Sequence, residues 1–378
     1  MKKSLSIVCM LLCCALLQGC WDYQGLRTID IVTGVAIDKD PDTGLYLLTY
    51  EIVNTQASGK DDAIKVNYIE SEGETLFDAI RHAKRRLINK LYGGNMQTLI
   101  ISRQIAEEEG VLMVLEMWLR DGEPRETLSV AISQEETAKS VLTTKGMDSN
   151  IIAFEIHETI LEDNQTTSST KNVALYQAYN AIKEPGSSLV LPVMHIVKNN
   201  KDSTTESNGV ALFRGDKLIG FLSPKQTLNY LFIVDEVRGG AFSFTPQNAN
   251  SKVSMEIKKS SSKTNVRYVD GQLIVSIKIQ TEMKLTELKA AANLDQAQER
   301  DLLEKSAAQA IEDSVHAFFG FVQTEYKADV LGLGRKMFED HLGQWLQLEG
   351  DWDELFSNAQ LEVEARVKVL DTGDIDNF

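Results

Sequence analysis

The chain has 378 residues, with 39 Lys+Arg against 55 Asp+Glu and a formal charge of −16. That length suits two or three compact domains rather than one, and the ordinary apolar and charged content excludes global disorder. The acidic balance argues against a general nucleic-acid binder, which needs a basic face to neutralise phosphates. Only one apolar run is long, which excludes a polytopic membrane protein.

The first element is that run. Met1-Lys2-Lys3 precedes an apolar stretch from Leu5 to Leu17, the charged start and apolar body of a secretory leader. It is short for a membrane span, which needs roughly 20 apolar residues. It ends in Leu17-Gln18-Gly19-Cys20, which resembles the bacterial lipobox. Residues 1–19 are therefore expected to be a signal peptide. Cys20 is the expected lipid attachment point, an S-diacylglycerol cysteine with an N-palmitoyl amine. Each buried CH₂ contributes ~0.8 kcal/mol, and two chains hold where one holds marginally. The other cysteines, Cys9, Cys13 and Cys14, leave with the leader. The mature chain then has no thiol for a disulfide, a metal site or a nucleophile.

Residues 28–53 read as a hairpin, with Ile29–Ile37 and Leu45–Ile52 joined by Asp38-Lys39-Asp40-Pro41-Asp42-Thr43-Gly44, and with Ile64–Ile69 as a candidate third strand. Asp, Pro and Gly between apolar runs are turn chemistry. Leu76, Phe77, Ile80, Ala83, Leu87 and Leu91 share one face at helical spacing, predicting a helix over 74–91. Strands follow at 96–101 and 127–133, with helices at 110–119, 135–142, 151–162 and 171–183. Glu184-Pro185-Gly186-Ser187-Ser188 breaks the pattern, 189–197 is a strand, and the polar 198–208 stretch reads as a loop or linker.

The second half opens with a hairpin at 209–222 and a helix started by Pro224, whose missing N–H costs nothing there. Strands are predicted at 241–245, 252–258 and 264–280, a long helix at 296–324 and a shorter one at 333–346. Leu361, Val363, Ala365, Val367 and Val369 alternate with charged neighbours, as in a half-buried strand. Clustered strands rather than strict strand–helix alternation indicate α+β, with mixed or antiparallel sheets and packed helices. The expected division is an N-terminal α+β domain over 20–185, with room for two subdomains, a strand and linker over 186–208, and a C-terminal α+β domain over 209–378.

No catalytic constellation stands out. His82, His157, His195, His316 and His341 are scattered, and none forms a His-Glu-x-x-His zinc helix. There is no Gly-x-Ser-x-Gly elbow and no phosphate loop. Gly332-Leu333-Gly334 lacks the third glycine of a dinucleotide fingerprint and reads as a turn between helices. Asp38, Asp40 and Asp42 with Gly44 superficially match a calcium loop, but Thr49 stands where the distal Glu belongs. No metal or cofactor is therefore expected. Arg81, Lys84, Arg85, Arg86 and Lys90 form a basic cluster on the predicted 74–91 helix. It reads as a solvated face, or as a contact for anionic headgroups or an acidic partner.

A set of segments in one order resembles the Ger(x)C (GerAC-like) family of spore germination lipoproteins. These are Gly19-Cys20-Trp21-Asp22, Val32–Asp40, Leu99–Ser102 with Ile105–Gly110, Leu119–Arg125, Gly209–Gly220, Ala328–Arg335 and Trp352–Phe356, ending in the 361–369 strand. Tyr23-Gln24-Gly25 departs from the charged segment usual after Trp-Asp. Gly93-Gly94-Asn95-Met96 replaces a more aromatic stretch that contains His. The resemblance implies a non-enzymatic, lipid-anchored C subunit of a nutrient germinant receptor. It also implies a place on the outer face of the inner membrane of the dormant spore, beside polytopic A and B subunits. The alternatives are a solute-binding lipoprotein of a transporter and an envelope hydrolase.

Overall fold

The computed structural model describes residues 28–53, 65–147, 149–246, 252–288 and 297–370. The leader, Cys20 and the Trp21-Asp22 pair lie outside the described residues. The predicted hairpin forms from β1 (Ile29–Lys39) and β2 (Tyr46–Val53), antiparallel with Ile37 opposite Leu48. Its turn is held locally. The Asp40 carboxylate accepts from the Asp42 and Thr43 amides at 2.9 Å each, and Gly44 takes φ +72°. β3 (Val66–Gly73) adds to β2 as the third strand.

On its other side β1 pairs parallel with β5 (Thr98–Ile101), followed by β6 (Ser129–Ser133) and β7 (Val190–Asn199). β8 (Asp202–Arg214) and β9 (Lys217–Leu222) then continue antiparallel. The sheet order is β3-β2-β1-β5-β6-β7-β8-β9, with the short β4 (Lys90–Tyr92) lying parallel to the first residues of β1. The central strands are covered on both faces. Val35, Leu99 and Val130 pack with α1 (Leu76–Ala83), α2 (Arg103–Glu108), α3 (Leu112–Asp121) and α6 (Leu175–Lys183). Ala36, Ile100 and Ala131 pack with α4 (Ala138–Leu142) and α5 (Ile152–Thr166). Double coverage explains why these strands read as continuous apolar runs instead of alternating ones. Gly34 lets α5 approach β1, since a Cβ there would lie 2.4 Å from that of Ala153.

The second sheet has the order β10 (Ala241–Phe244), β11 (Val253–Val269), β12 (Gln272–Leu288) and β13 (Gln360–Leu370). The long α8 (Ala297–Glu325) buries Leu303, Ala307, Ile311, Val315, Phe318 and Val322 in its core, the face its periodicity predicts. α7 (Pro224–Ile233) starts with proline in its first turn, behind a Ser223–Gln226 capping box. α9 (Leu333–Asp340), α10 (Leu342–Leu348) and α11 (Trp352–Ser357) lead into β13. The fold is α+β with mixed sheets and packed helices, as expected. No helix among the described residues is long and apolar enough to cross a membrane.

Four local expectations are corrected. The helix predicted over 74–91 ends at Ala83. Lys84–Arg86 form one 3₁₀ turn, Leu87 becomes extended, and the chain enters β4. Leu87 and Leu91 still pack on the core, so their spacing is satisfied without a helix while β4 pairs the start of β1. The basic residues therefore do not share one helix. The polar 198–208 stretch is mostly strand. Asn199 pairs with Asp202 around Asn200 at φ +56°, and 202–208 is the first half of β8. The predicted 264–280 strand is cut by a two-residue turn, Asp270-Gly271, with positive φ at both positions, the geometry that twisted hairpins favour. The helix predicted at 333–346 breaks at His341. The 209–222 hairpin extends the first sheet through β7, and the second sheet begins at Ala241.

Buried carboxylates in the strands hold the helices. Glu51 on β2 is fully buried. It accepts from the Ile152 amide (2.7 Å), the Ala153 amide (3.0 Å) and the Thr33 hydroxyl (2.7 Å), so a strand residue caps α5. Asp38 on β1 does the same for α4, accepting from the Ala138 and Lys139 amides at 2.6 and 2.9 Å. The orphan amides and positive end of each helix find an anion in the sheet. Removing one partner leaves buried donors unsatisfied, so Glu51→Ala is expected to lower unfolding stability by about 2–4 kcal/mol. Burial raises the Glu51 carboxyl above the ordinary range, against the pull of its donors. Its titration therefore contributes stability that is complete below the unfolded pKa and is lost as pH rises through the folded one. Urea unfolding from about pH 4 to about pH 7 should show wild type losing stability relative to Glu51→Gln. Parallel pH profiles would contradict this assignment.

Candidate functional site

A recess lies between α1, β4 and the loop after α3, with a volume of about 260 Å³. Tyr50, Met96 and Trp118 are its buried apolar lining. Arg81, Lys84 and Lys90 stand on the rim with Asp121 and Glu123. Three of the five basic residues singled out from the sequence thus meet here, although they come from a helix, a 3₁₀ turn and a strand. Lys90 is paired with Glu123, and the Arg81 guanidinium sits 4.7 Å over the Phe77 ring. Burial raises the Asp121 carboxyl and Glu123 raises it further, while Arg81 and Lys90 pull it down. The buried Trp118 Nε1 has no hydrogen-bond partner among the described residues. The lining contains no serine, cysteine or histidine. What the recess offers is a mixed-charge rim over apolar surface.

A second constellation joins the two sheets. Asp329 is buried between Ala328 and Val330. Its carboxylate accepts from the Leu331 amide (3.1 Å), the Gly334 amide (2.7 Å) and Trp352 Nε1 (2.8 Å). Its carbonyl accepts from the Ser188 hydroxyl, across the break between halves. Its amide donates to Asp353, which pairs with Arg214 at the end of β8. Arg214 also donates to the Tyr326 and Lys327 carbonyls at 2.9 and 3.0 Å. Lower on the seam, Lys171 donates to Glu236 at 2.9 Å and lies 5.9 Å over the Tyr230 ring. Burial works against its charge, but Tyr230 and Glu236 outweigh it and hold the ammonium above its usual range.

The residues weighed for catalysis are not gathered. His82 contacts the Glu72 carbonyl at 2.7 Å, His157 the Ser129 hydroxyl at 2.8 Å, and His195 stands 3.9 Å from Glu206. The calcium-like aspartates diverge: Asp38 caps α4, whereas Asp40 holds its own turn. Gly332 is the left-handed residue that opens α9, and Gly334 packs under Trp345 and Trp352. No group of three or more His, Cys, Asp or Glu among the described residues could hold a metal. Sequence reasoning missed the fastening roles of Asp38, Glu51, Asp329 and Arg214. The available signal was a lone charge inside or at the end of an apolar run.

Two family models match in order. The "Spore germination protein N-terminal domain" covers residues 22–196, and "Spore germination B3/ GerAC like, C-terminal" covers residues 208–373. Among curated proteins the chain is similar to spore germination protein B3 of Bacillus subtilis (strain 168), 25% identical over 95% of each chain. It is also similar to spore germination protein KC of the same organism, 21% identical over 98% of this chain and 96% of that one. Spore germination protein GerQC of Bacillus cereus is 23% identical over 94% and 96%. The crystal structure of the GerBC protein has the same fold, with a TM-score of 0.55 at 20% identity over 89% of this chain and 97% of that one.

The seam is tight where Gly186 meets α9. Gly186 has φ +68°, and a Cβ there would lie 2.3 to 2.6 Å from the backbone of Gly334 and Arg335. Backbone cannot yield as a side chain can. Gly186→Ala is therefore expected to cost about 1–3 kcal/mol and to loosen the two sheets from each other. Scanning calorimetry should show a lower and broadened or split transition. A single transition at the wild-type temperature would refute the close approach.

Proposed function

The chain belongs to the GerAC-like spore germination family, and from that premise we propose that it is the lipid-anchored, non-enzymatic C subunit of a spore germinant receptor. The observation that carries the reading is the ordered pair of family matches running from residue 22 to residue 373. In this reading Cys20 bears the lipid, and the folded body lies on the outer face of the inner membrane of the dormant spore. It docks there on polytopic A and B subunits and is needed for the response to nutrients. The bonded seam through Asp329 supports this role, because contacts that join the two sheets can pass a displacement from one docking surface to another. The mixed-charge recess supports it as well, since its chemistry is that of contact.

Two strains test the reading. Deleting the gene should abolish or slow germination on at least one nutrient of a panel, while the purified protein shows no peptidoglycan hydrolysis. Cys20→Ala should shift the protein out of the lipid-modified membrane fraction and reproduce the deletion defect. Unchanged fractionation and full germination with Cys20→Ala would remove the anchor from the mechanism.

A further inference from the structure

The segment Ala79–Lys90 holds Arg81, Lys84, Arg85, Arg86 and Lys90 and no acidic residue, in a chain of formal charge −16. All five basic side chains are exposed. Asp121 and Glu123 face Arg81 and Lys90 across the recess, and Asp30 accepts from Asn89. Arg86 donates to the Glu70 carbonyl, while the Glu70 carboxylate is taken by Lys139. Lys84 and Arg85 have no ion pair among the described residues. At the turn between them and β4, Ile88 is fully exposed, and Phe77 is more than half exposed beside Arg81. A lone exposed Ile is ordinary; an Ile raised between cations, next to an aromatic and a basic 3₁₀ turn, has the composition of a surface that meets headgroups and acyl boundary together.

Its position gives the second argument. β4 pairs with the first residues of β1, Lys90 opposite Ile29 and Tyr92 opposite Ile31. The chain from Cys20 enters the fold at this point. Nine residues of fully extended chain span at most about 30 Å, so lipid at Cys20 keeps this edge near the bilayer. We propose that the Arg81–Tyr92 segment is a membrane-contacting face that seats on anionic phospholipid headgroups, with Lys84, Arg85 and Arg86 supplying charge and Ile88 entering the interface. The positional argument rests on Cys20 being the lipid attachment point; the charge and exposure arguments do not.

The test uses the processed chain from residue 20 with Cys20→Ser, so that no lipid is attached. Flotation with phosphatidylcholine vesicles is compared with vesicles containing one-third phosphatidylglycerol. Binding to the anionic vesicles is expected to be about tenfold or more above the neutral ones, to fall with salt, and to be lost in Lys84→Glu/Arg85→Glu/Arg86→Glu. Ile88→Asp should weaken it several-fold without changing net charge as much. The equivalent triple reversal at Lys258, Lys259 and Lys263 on β11 should leave it intact. Equal binding to both vesicle types, no loss in the 84–86 variant, or equal loss in the β11 variant would overturn the proposal. The protein with Cys20 intact, purified from its native membranes, is floated in parallel. If it carries no lipid but the Cys20→Ser chain still prefers anionic vesicles, the anchor fails and the face stands. If it anchors to both vesicle types while the Cys20→Ser chain shows no preference, the anchor stands and the face fails.

Discussion

The structure depends on one buried carboxylate. Asp329 sits in apolar surroundings, where an unpaired charge would cost several kcal/mol, and three donors converge on it: the Leu331 amide just before α9, the Gly334 amide in its first turn and the indole N–H of Trp352. Burial raises its carboxyl above the ordinary range, against the pull of those donors. The same residue uses its carbonyl and amide outward, toward Ser188 and Asp353. Every polar group of Asp329 is therefore committed, half of them to its own helices and half to the joint between sheets. With Asp329 held, Asp353 can meet Arg214, and the end of β8 is fastened to the end of α8. Glu51 and Asp38 repeat the device inside the first sheet, each an anion on a strand set against the amides of a helix start.

This changes the meaning of the family resemblance. The segments that carry it include Asp38, Arg214, Asp216, Asp329, Trp352 and Asp353. Each is engaged in a bond that fixes one element against another; Asp216, for example, accepts from the Val111 amide through its carbonyl and from the Leu112 amide through its carboxylate, and so docks the β8–β9 turn on α3. Likeness over these residues is likeness of a scaffold. It is consistent with a receptor component that holds a shape and presents surfaces.

Much of the fold was legible where one physical rule acted alone. The alternation at 361–369, the apolar stripe of α8, Pro224 at a helix start and the Asp40–Gly44 turn all formed as their local chemistry requires. Expectation failed where two rules competed. Leu87 and Leu91 kept helical spacing, yet pairing with β1 drew the chain into a strand. The polar 202–208 residues lacked an apolar stripe, yet an antiparallel edge needs only backbone partners and room for Thr204 and Ser207 underneath. Asp270-Gly271 was passed over although the alternation changes phase there, from Val266 and Tyr268 before the turn to Leu273 and Val275 after it. The recess was illegible for a different reason: its lining comes from five separated stretches, and no local pattern encodes their convergence.

The charge distribution then acquires a direction. An acidic body beside an anionic bilayer is repelled as a whole, but at physiological ionic strength each charge is felt over only about 8 Å. With the basic turn at the bilayer, acidic residues more than a Debye length away would not reach the membrane electrostatically, whereas that turn would. On the proposed membrane face, orientation would then follow the local charge at 84–86 rather than the overall charge. In the proposed reading, a lipid at Cys20 would supply attachment without choosing a face. A basic face placed close to where such a tether would join the fold would add the choice, because it would be among the first surfaces that short chain brings to the bilayer. The recess rimmed by Arg81, Lys84 and Lys90 would then open close to the headgroup plane, and the second sheet, fastened through Asp329, would be carried at a fixed angle to it.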